Sequence, residues 1–168
     1  MIETERLIIK PLTYDQLLKY IKCDNSLETE LNLFPTSRII SLDLQEAFEQ
    51  TILPNVADTT KNYLFSTLWS AISKIENKMI GDLCIIGEPN LDGEIEIGYG
   101  IYDGFQNRGF MTEIVNGVIG WAKTQENVKS IIASTNKTNI ASFKVLEKNN
   151  FIKFEETETA YNWRLKLQ

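Results

Sequence analysis

The clearest hydrophobic pattern in the chain lies between residues 109 and 123. Apolar side chains recur there at i, i+3, i+4, i+7, i+8 and i+11, which is typical of one buried helical face. They are Met111, Ile114, Val115, Val118, Ile119 and Ala122. The pattern predicts an amphipathic helix over Gly109–Lys123.

Other segments show either the helical period or the two-residue alternation of a strand. Further helices are predicted at Thr13–Lys22, Ser41–Ile52 and Asn139–Lys148, and Pro54 is expected to end the second of these. Strands are predicted at Arg6–Leu12, Tyr63–Ser73, Lys78–Ile86, Glu94–Tyr102, Ser130–Ser134, Phe151–Glu156 and Tyr161–Leu167. The order β-α-α-β-β-β-α-β-α-β-β predicts one mixed α/β domain over residues 1–168.

Composition narrows the classes of function. The net charge of −6 disfavours a nucleic-acid partner, because phosphate binding needs a basic surface. No apolar run approaches the roughly 20 residues of a membrane span, and the N-terminus lacks the apolar core of a signal peptide. Because the chain has no histidine, Ser-His and Cys-His catalysis and histidine metal sites are excluded. Cys23 and Cys84 are interpreted as buried thiols of a reducing cytoplasm, so we expect a cytoplasmic protein without nucleic-acid, membrane or metal partners.

Charge is distributed unevenly along the chain. Acidic residues outnumber basic ones up to residue 103, and basic residues outnumber acidic ones after it. This division fits a protein whose second half holds an anion while its first half attracts a cation. It also fits random variation of a solvated surface.

A short loop containing glycine joins the strand Glu94–Tyr102 to the helix that begins at Gly109. Backbone N–H groups of such a loop and of the first helical turn converge on one point, where the helix dipole adds positive charge. The loop has neither the Gly-Lys-Ser/Thr ending of a nucleoside-triphosphate loop nor the glycine fingerprint of a dinucleotide site. It indicates either a site for the pyrophosphate of another cofactor or a corner that only packs the core.

Three segments together resemble the GNAT superfamily of acyl-CoA N-acyltransferases. Gln106-Asn-Arg-Gly-Phe-Met resembles the family signature Q/R-x-x-G-x-G/A. Asn139-Ile-Ala-Ser-Phe-Lys-Val-Leu-Glu-Lys-Asn-Asn-Phe resembles the family segment Asn-x-x-Ser-x-x-x-Leu-Glu-Lys-x-Gly-Phe. The opening Thr4-Glu-Arg-Leu-Ile-Ile-Lys-Pro-Leu is similar to the start of the RimJ/RimL-like branch. The likeness covers nearly the whole chain.

The resemblance implies both a fold and a reaction. The expected fold is a single α/β domain with a mixed, mostly antiparallel sheet that is splayed between its central strands and flanked by helices. The expected activity is direct transfer of the acetyl group of acetyl-CoA to a primary amine, either a peptide N-terminus or a small molecule. Two rival interpretations are a non-catalytic acyl-CoA-binding module and an enzyme for a longer acyl-CoA. A homodimer is also compatible with the family.

Two residues match the positions of the family's catalytic groups. By resemblance, Glu96 is the base that takes a proton from the amine, with Glu94 as the alternative. Strand alternation places both on the same face as Gly98 and Gly100, where small residues leave room for a ligand. Ser142 occupies the position from which some relatives protonate the thiolate of CoA. Tyr99 and Tyr102 are the alternative proton donors.

The cofactor-binding residues are also assigned by resemblance. They are Ile101, Gln106, Asn107, Arg108, Gly109, Phe110, Met111, Thr112, Asn139, Phe143 and Lys144. Lys144 and Lys148 either neutralise the nucleotide 3′-phosphate or face solvent. Met111 departs from the family's Gly or Ala and is expected either to crowd the phosphate loop or to shift one backbone contact. Asn150 replaces a Gly and should be tolerated, because Asn adopts the left-handed conformation readily. Phe34, Trp69 and Tyr99 are candidates for the acceptor site, or else core aromatics.

Overall fold

An eight-stranded sheet forms the centre of the structure, a computed structural model that describes residues 1–167. The strands are β1 (Ile2–Glu3), β2 (Leu7–Pro11), β3 (Leu68–Ser73), β4 (Lys78–Ile85), β5 (Glu94–Ile101), β6 (Ser130–Asn136), β7 (Ile152–Glu156) and β8 (Ala160–Lys166). Their order is β1-β2-β3-β4-β5-β6-β8-β7. All neighbours are antiparallel except β5 and β6, which are parallel, so the prediction of a mixed, mostly antiparallel sheet is confirmed.

The pairing of β5 with β6 is short. It joins Glu94 to Ser130, Ile95 to Ile131 and Glu96 to Ile132, and no later residue of β5 pairs with β6. On its other side β5 remains paired with β4 from Ile97 to Ile101. The sheet therefore opens into a V after Glu96, as expected for a sheet splayed between its central strands.

Helices cover both faces of the sheet. They are α1 (Tyr14–Lys22), α2 (Ser26–Glu30), α3 (Leu42–Ala47), α4 (Leu53–Ala57), α5 (Phe110–Ala122) and α6 (Ile140–Lys148). The first core cluster contains Trp69 and Val115 and lies between the sheet and α5 and α6. The second contains Tyr20 and Phe48 and lies between the sheet and the helices α1 to α4. Strands β3 and β4 therefore send side chains into both cores, whereas the apolar side chains of β5 all enter the first.

The helix expected to end before Pro54 continues beyond it, so that prediction is wrong. The segment Phe48–Ile52 forms a π-helical turn between α3 and α4, in which the amide of Leu53 donates to the carbonyl of Phe48. Proline lacks an N–H group, and its ring clashes with the carbonyl four residues earlier in an α-helix. The wider π turn avoids this clash, and the chain stays helical to Ala57.

The predicted strand Tyr63–Ser73 is shorter than expected. Its first part is a 3₁₀ turn, Tyr63–Phe65, capped by the side chain of Asn62, which accepts a hydrogen bond from the amide of Leu64. The indole of Trp69 donates to the carbonyl of Leu64 at 3.1 Å and holds this turn against the sheet. Aromatic residues therefore serve here as packing groups of a turn, although their β propensity favours a strand. The short elements β1 and α2 were not predicted.

A buried ion pair fixes the segment between α2 and α3. The guanidinium of Arg38 donates to the carboxylate of Glu28, and both side chains are almost fully buried. Arg38 also donates to the main-chain oxygen of Tyr20 at 2.9 Å and stacks on the ring of that residue at 4.4 Å. The pair thus attaches this long connection to α1.

Removing one member of this pair should destabilise the protein strongly. In Arg38→Met, the carboxylate of Glu28 stays buried without a cation, and we expect the free energy of unfolding to fall by about 3–5 kcal/mol. The double variant Glu28→Leu/Arg38→Met should recover most of that loss. As a control, Lys74→Met breaks the exposed pair with Glu3 and should cost less than about 1 kcal/mol. Urea unfolding measures all three, and equal losses for the Arg38 and Lys74 variants would contradict the prediction.

Candidate active site

Glu96 is the last residue of β5 that pairs with β6, so it stands at the apex of the V. Its side chain is half-buried and accepts no hydrogen bond from any residue between 1 and 167. Glu94, the alternative base, accepts hydrogen bonds from the Ser130 hydroxyl at 3.0 Å and the Arg164 guanidinium at 2.7 Å. The structure therefore leaves Glu96 as the available carboxylate and commits Glu94 to a structural ion pair.

The open edge of β5 offers backbone groups to an extended ligand. From Ile97 to Ile101 the strand has a ladder partner only in β4, so its N–H and C=O groups on the β6 side have none. A ligand with amide groups can bind such an edge as an added strand does. Ile101 also borders the cleft at the start of α5, so edge and cleft are continuous.

The loop before α5 forms a tight corner with unpaired backbone amides. Asn107 and Gly109 have left-handed backbones, with φ of 60° and 76°, which turn the chain into the helix. Within the described part of the chain, the amides from Gly109 to Thr112 donate to no acceptor. They face a cleft of about 340 Å³ that is bordered on the α6 side by Lys144 and Lys148. Unpaired N–H groups, a helix N-terminus and two lysines suit a polyanion such as a diphosphate.

Three of the predicted contact residues use their side chains elsewhere. Arg108 donates to Glu76 at 2.6 Å and stacks on the ring of Phe110 at 4.8 Å. The Met111 side chain belongs to the core and is only 8% exposed, so its bulk is largely directed away from the loop. Phe143 packs its ring against Tyr161 at 5.4 Å. For Arg108 and Met111, the predicted cofactor contact therefore concerns the backbone.

A clip of three side chains attaches the N-terminal segment to the first turn of α5. Glu113 accepts hydrogen bonds from the Thr4 hydroxyl at 2.6 Å, the Arg6 amide at 2.9 Å and the Arg6 guanidinium at 2.6 Å. Arg6 also donates to the main-chain oxygen of Arg108 at 3.0 Å. Partial burial acts to raise the pKa of Glu113, but these bonds outweigh it and lower the pKa. These bonds hold the loop before α5 in place against the N-terminal segment.

The two candidate proton donors lie together at the start of α6. Asn139 caps this helix by accepting a hydrogen bond from the Ser142 amide at 3.1 Å. The Tyr99 hydroxyl reaches across from β5 and donates to the main-chain oxygen of Ser142 at 3.4 Å. Burial raises the pKa of Tyr99 to about 12, although its interaction with Ser142 acts in the opposite direction. Tyr99 is therefore protonated at neutral pH and is able to donate a proton.

A second cavity, of about 570 Å³, lies beside Gly98 and Gly100, on the face of β5 that points away from α5 and α6. Its lining includes Tyr20, Ile39, Leu44, Leu68, Asp82 and Tyr102. Phe34 does not line it, because that residue is 61% exposed and its amide donates to Asn77. Trp69 is fully buried in the first core. Asp82 was missed by the sequence analysis, although an aspartate within the apolar run of β4 was a usable signal.

Two further expectations concern the cysteines and membrane-spanning segments. Cys23, at the end of α1, is exposed, so the expectation that both thiols are buried is wrong for this residue. Cys84 is partly buried. No helix within residues 1–167 has the length and apolarity needed to cross a membrane.

Comparison with known sequences identifies relatives along the full chain. The family model described as "Acetyltransferase (GNAT) domain" matches residues 6–152. The chain is also 26% identical over 166 residues to YjdG, an uncharacterized N-acetyltransferase of Bacillus subtilis (strain 168). That match covers 97% of this chain and 96% of the relative.

Comparison with solved structures supports the same fold. The ribosomal-protein-S5-alanine acetyltransferase from Vibrio fischeri superposes with a TM-score of 0.71 at 20% identity, covering 98% of this chain and 95% of that one. The spermidine N-acetyltransferase from Vibrio cholerae, in complex with CoA and spermine, superposes with a TM-score of 0.66 at 14% identity, covering 98% and 97%. At these identities the superpositions show the fold alone.

Loss of the charge at Glu113 should loosen the clip. In Glu113→Gln, we expect the free energy of unfolding at neutral pH to fall by about 1–2 kcal/mol, because charge-assisted hydrogen bonds become neutral ones. The folded state lowers the pKa of Glu113 from its ordinary 4.5. Its contribution is therefore fully present above that value and is lost as the pH falls through the lowered pKa. Urea unfolding should show wild type and variant converging in acid, and a constant difference would contradict this assignment.

Proposed function

The chain belongs to the GNAT acetyltransferase family, and from this premise we propose that it moves the acetyl group of acetyl-CoA directly to a primary amine held beside Glu96. Family membership makes it an N-acetyltransferase that uses acetyl-CoA. The residue roles, the acceptor and the site geometry are our proposal. The observation that carries it is an unpaired carboxylate at the start of the open edge of β5, together with unengaged helix amides at the cleft that this edge reaches through Ile101.

Coenzyme A fits the residues of this groove. The amides of Gly109 to Thr112 would hold its diphosphate, with Lys144 and Lys148 as nearby cations. The open edge of β5 would pair with the amides of the pantetheine arm, which directs the arm toward Glu96. The bound thioester supplies the acetyl group. Holding it and the amine in one groove contributes through proximity, which reaches about 7–11 kcal/mol in well-oriented cases.

Glu96 is proposed to take the proton that the amine loses. A general base must lie within reach of that proton, directly or through one water molecule. Glu96 stands at the apex of the V and keeps its carboxylate free of protein donors, whereas Glu94 is held by Ser130 and Arg164. The glycines at positions 98 and 100 leave room on the same face for the amine.

Tyr99 and Ser142 are proposed to return a proton to the leaving thiolate. The Tyr99 hydroxyl contacts the main chain of Ser142 on the side of the sheet that carries α5. The pKa of Tyr99, about 12, is nearer to that of a thiol than the value for a serine hydroxyl, so the structure favours Tyr99 as the donor. Tyr102 is unsuited to this role, because its hydroxyl contacts Tyr20 on the other face.

The acceptor is proposed to be an amine on a peptide N-terminus or on a small molecule. Relatives of this fold are named for both kinds, namely a ribosomal-protein-alanine acetyltransferase and a spermidine acetyltransferase. The cavity beside Gly98 and Gly100 is the proposed acceptor site. Cytoplasmic action is part of the proposal, because the exposed thiol of Cys23 is compatible with a reducing compartment. A homodimer remains a prediction.

The base assignment is tested by comparing two neighbouring glutamates. We expect Glu96→Gln to lower kcat by about 100-fold, the usual effect of losing a general base, while calorimetry shows unchanged coenzyme A affinity. Glu94→Gln is the matched control and should change kcat far less. Release of free thiol from acetyl-CoA with a panel of amines is the measurement. Binding of acetyl-CoA without turnover on any amine would favour the non-catalytic module instead.

The acid assignment is tested at the start of α6. Tyr99→Phe removes only the hydroxyl, and we expect kcat to fall by about ten-fold or more as the thiolate loses its proton donor. Ser142→Ala should have a smaller effect, since the cap formed by Asn139 uses the Ser142 amide and survives this change. Single-turnover thiol release measures both variants. A larger loss for Ser142→Ala would assign the role to the serine.

A further inference from the structure

Asp82 places a carboxylate in the floor of the proposed acceptor site. It lies on β4, directly across from Gly100 of β5, and is only 8% exposed. A side chain at Gly100 would begin 4.0 Å from its Oδ1 atom, so the glycine leaves that oxygen uncovered. No hydrogen bond described within residues 1–167 ends on Oδ1, although the Tyr102 hydroxyl is close enough to lower the pKa of this carboxylate. The residue borders the cavity.

The other oxygen of Asp82 belongs to a polar network. Oδ2 accepts a hydrogen bond from the Tyr20 hydroxyl at 2.6 Å, and that hydroxyl lies 3.1 Å from the hydroxyl of Tyr102. The nearest cation, Arg38, is engaged by Glu28 and by the main-chain oxygen of Tyr20. Asp82 thus forms no ion pair within residues 1–167. A buried carboxylate without a cation is costly, so this arrangement favours a cation supplied from outside.

Burial also raises the pKa of Asp82, although the two phenol groups and Arg38 act to lower it. A cation bound at Oδ1 would favour the charged carboxylate in the same way that any neighbouring positive charge does. The free oxygen, the burial and the position in the cavity together indicate a binding group. None of the roles assigned above uses it.

We propose that Asp82 binds a second positively charged group of the acceptor, so that the enzyme prefers amines carrying two cationic centres. This inference rests on the proposed function and specifies its substrate class. Glu96 and Gly100 are four residues apart on one strand, which is roughly 13 Å. The reacting amine at Glu96 and the second cation at Asp82 would therefore occupy opposite ends of one groove.

The surface between the two carboxylates fits an aliphatic spacer. Gly98 and Gly100 present no side chains along the strand. Ile39, Leu44 and Leu68 supply apolar contacts from the lining of the same cavity. A flexible chain of methylene groups with a cation at each end matches this pattern, which is polar at both ends and apolar between them. Linear α,ω-diamines are the simplest compounds of this class.

The test compares linear diamines with monoamines of the same chain length, using thiol release from acetyl-CoA. For the wild-type protein we expect kcat/KM to be at least about ten-fold higher for the diamine of best length, equivalent to one charge-assisted contact. Asp82→Asn should abolish this preference through an increase of KM for the diamine. The control Asp15→Asn removes an exposed carboxylate outside the cavity and should retain the preference.

Further results distinguish a folding defect, a failed inference and a failed function. Thermal unfolding shows whether Asp82→Asn is folded. If it is not, Tyr20→Phe provides a second test, because it alters the same polar network but retains the Asp82 carboxylate and should retain the diamine preference. Equal kcat/KM for mono- and diamines in the wild type would overturn the inference and leave the proposed function standing. A uniform loss of kcat for both amines in folded Asp82→Asn would also overturn it, because that pattern belongs to a base. Absence of thiol release with every amine would overturn both proposals.

Discussion

The early end of pairing between β5 and β6 is the constraint on which the rest of the site depends. Only three residue pairs join these strands, and Glu96 is the last of them on β5. Up to that point the sheet is continuous and its backbone groups are satisfied. Beyond it, β5 keeps its partner on one side only, so a line of donors and acceptors is exposed inside the protein. An unpaired strand edge normally invites pairing with another protein chain. Here the edge lies inside the V between β5 and β6, so an extended ligand is a suitable partner.

The site also depends on the attachment of the first turn of α5 to the N-terminal segment. The unengaged amides of Gly109 to Thr112 are useful only if the loop keeps its shape without a ligand. Glu113, Thr4 and Arg6 provide that shape, and Arg6 extends the clip to the carbonyl of Arg108. The N-terminal segment therefore supports the proposed anion-binding loop without lining the cleft. Preorganisation of this kind lowers the entropy that binding must remove.

Local patterns predicted much of the fold and part of the site. The periodic apolar face from Met111 to Ala122 and the Asn139 cap belong to single elements, so the sequence reveals them directly. The π turn before Pro54 arises because the helix avoids a clash between the proline ring and a preceding carbonyl. The spacing of apolar residues carries no information about such a clash. Asp82 depends on the register between β4 and β5, which puts it beside Gly100. Phe34 is aromatic, as many pocket residues are, but it lies at the surface, where its amide donates to the carbonyl of Asn77.

The buried pair of Glu28 and Arg38 has a consequence for how this protein can change. It secures the connection from α2 to α3 at one point, while Ile39 and Leu42 beyond it are 86% and 83% exposed. Ile39, Ser41 and Asp43 after this anchor border the proposed acceptor cavity and belong to neither core. If this cavity holds the acceptor as proposed, substitutions there would alter which molecules are accepted without weakening the sheet. Evolution, or an engineer, can therefore diversify selectivity in this segment while the transfer machinery stays intact.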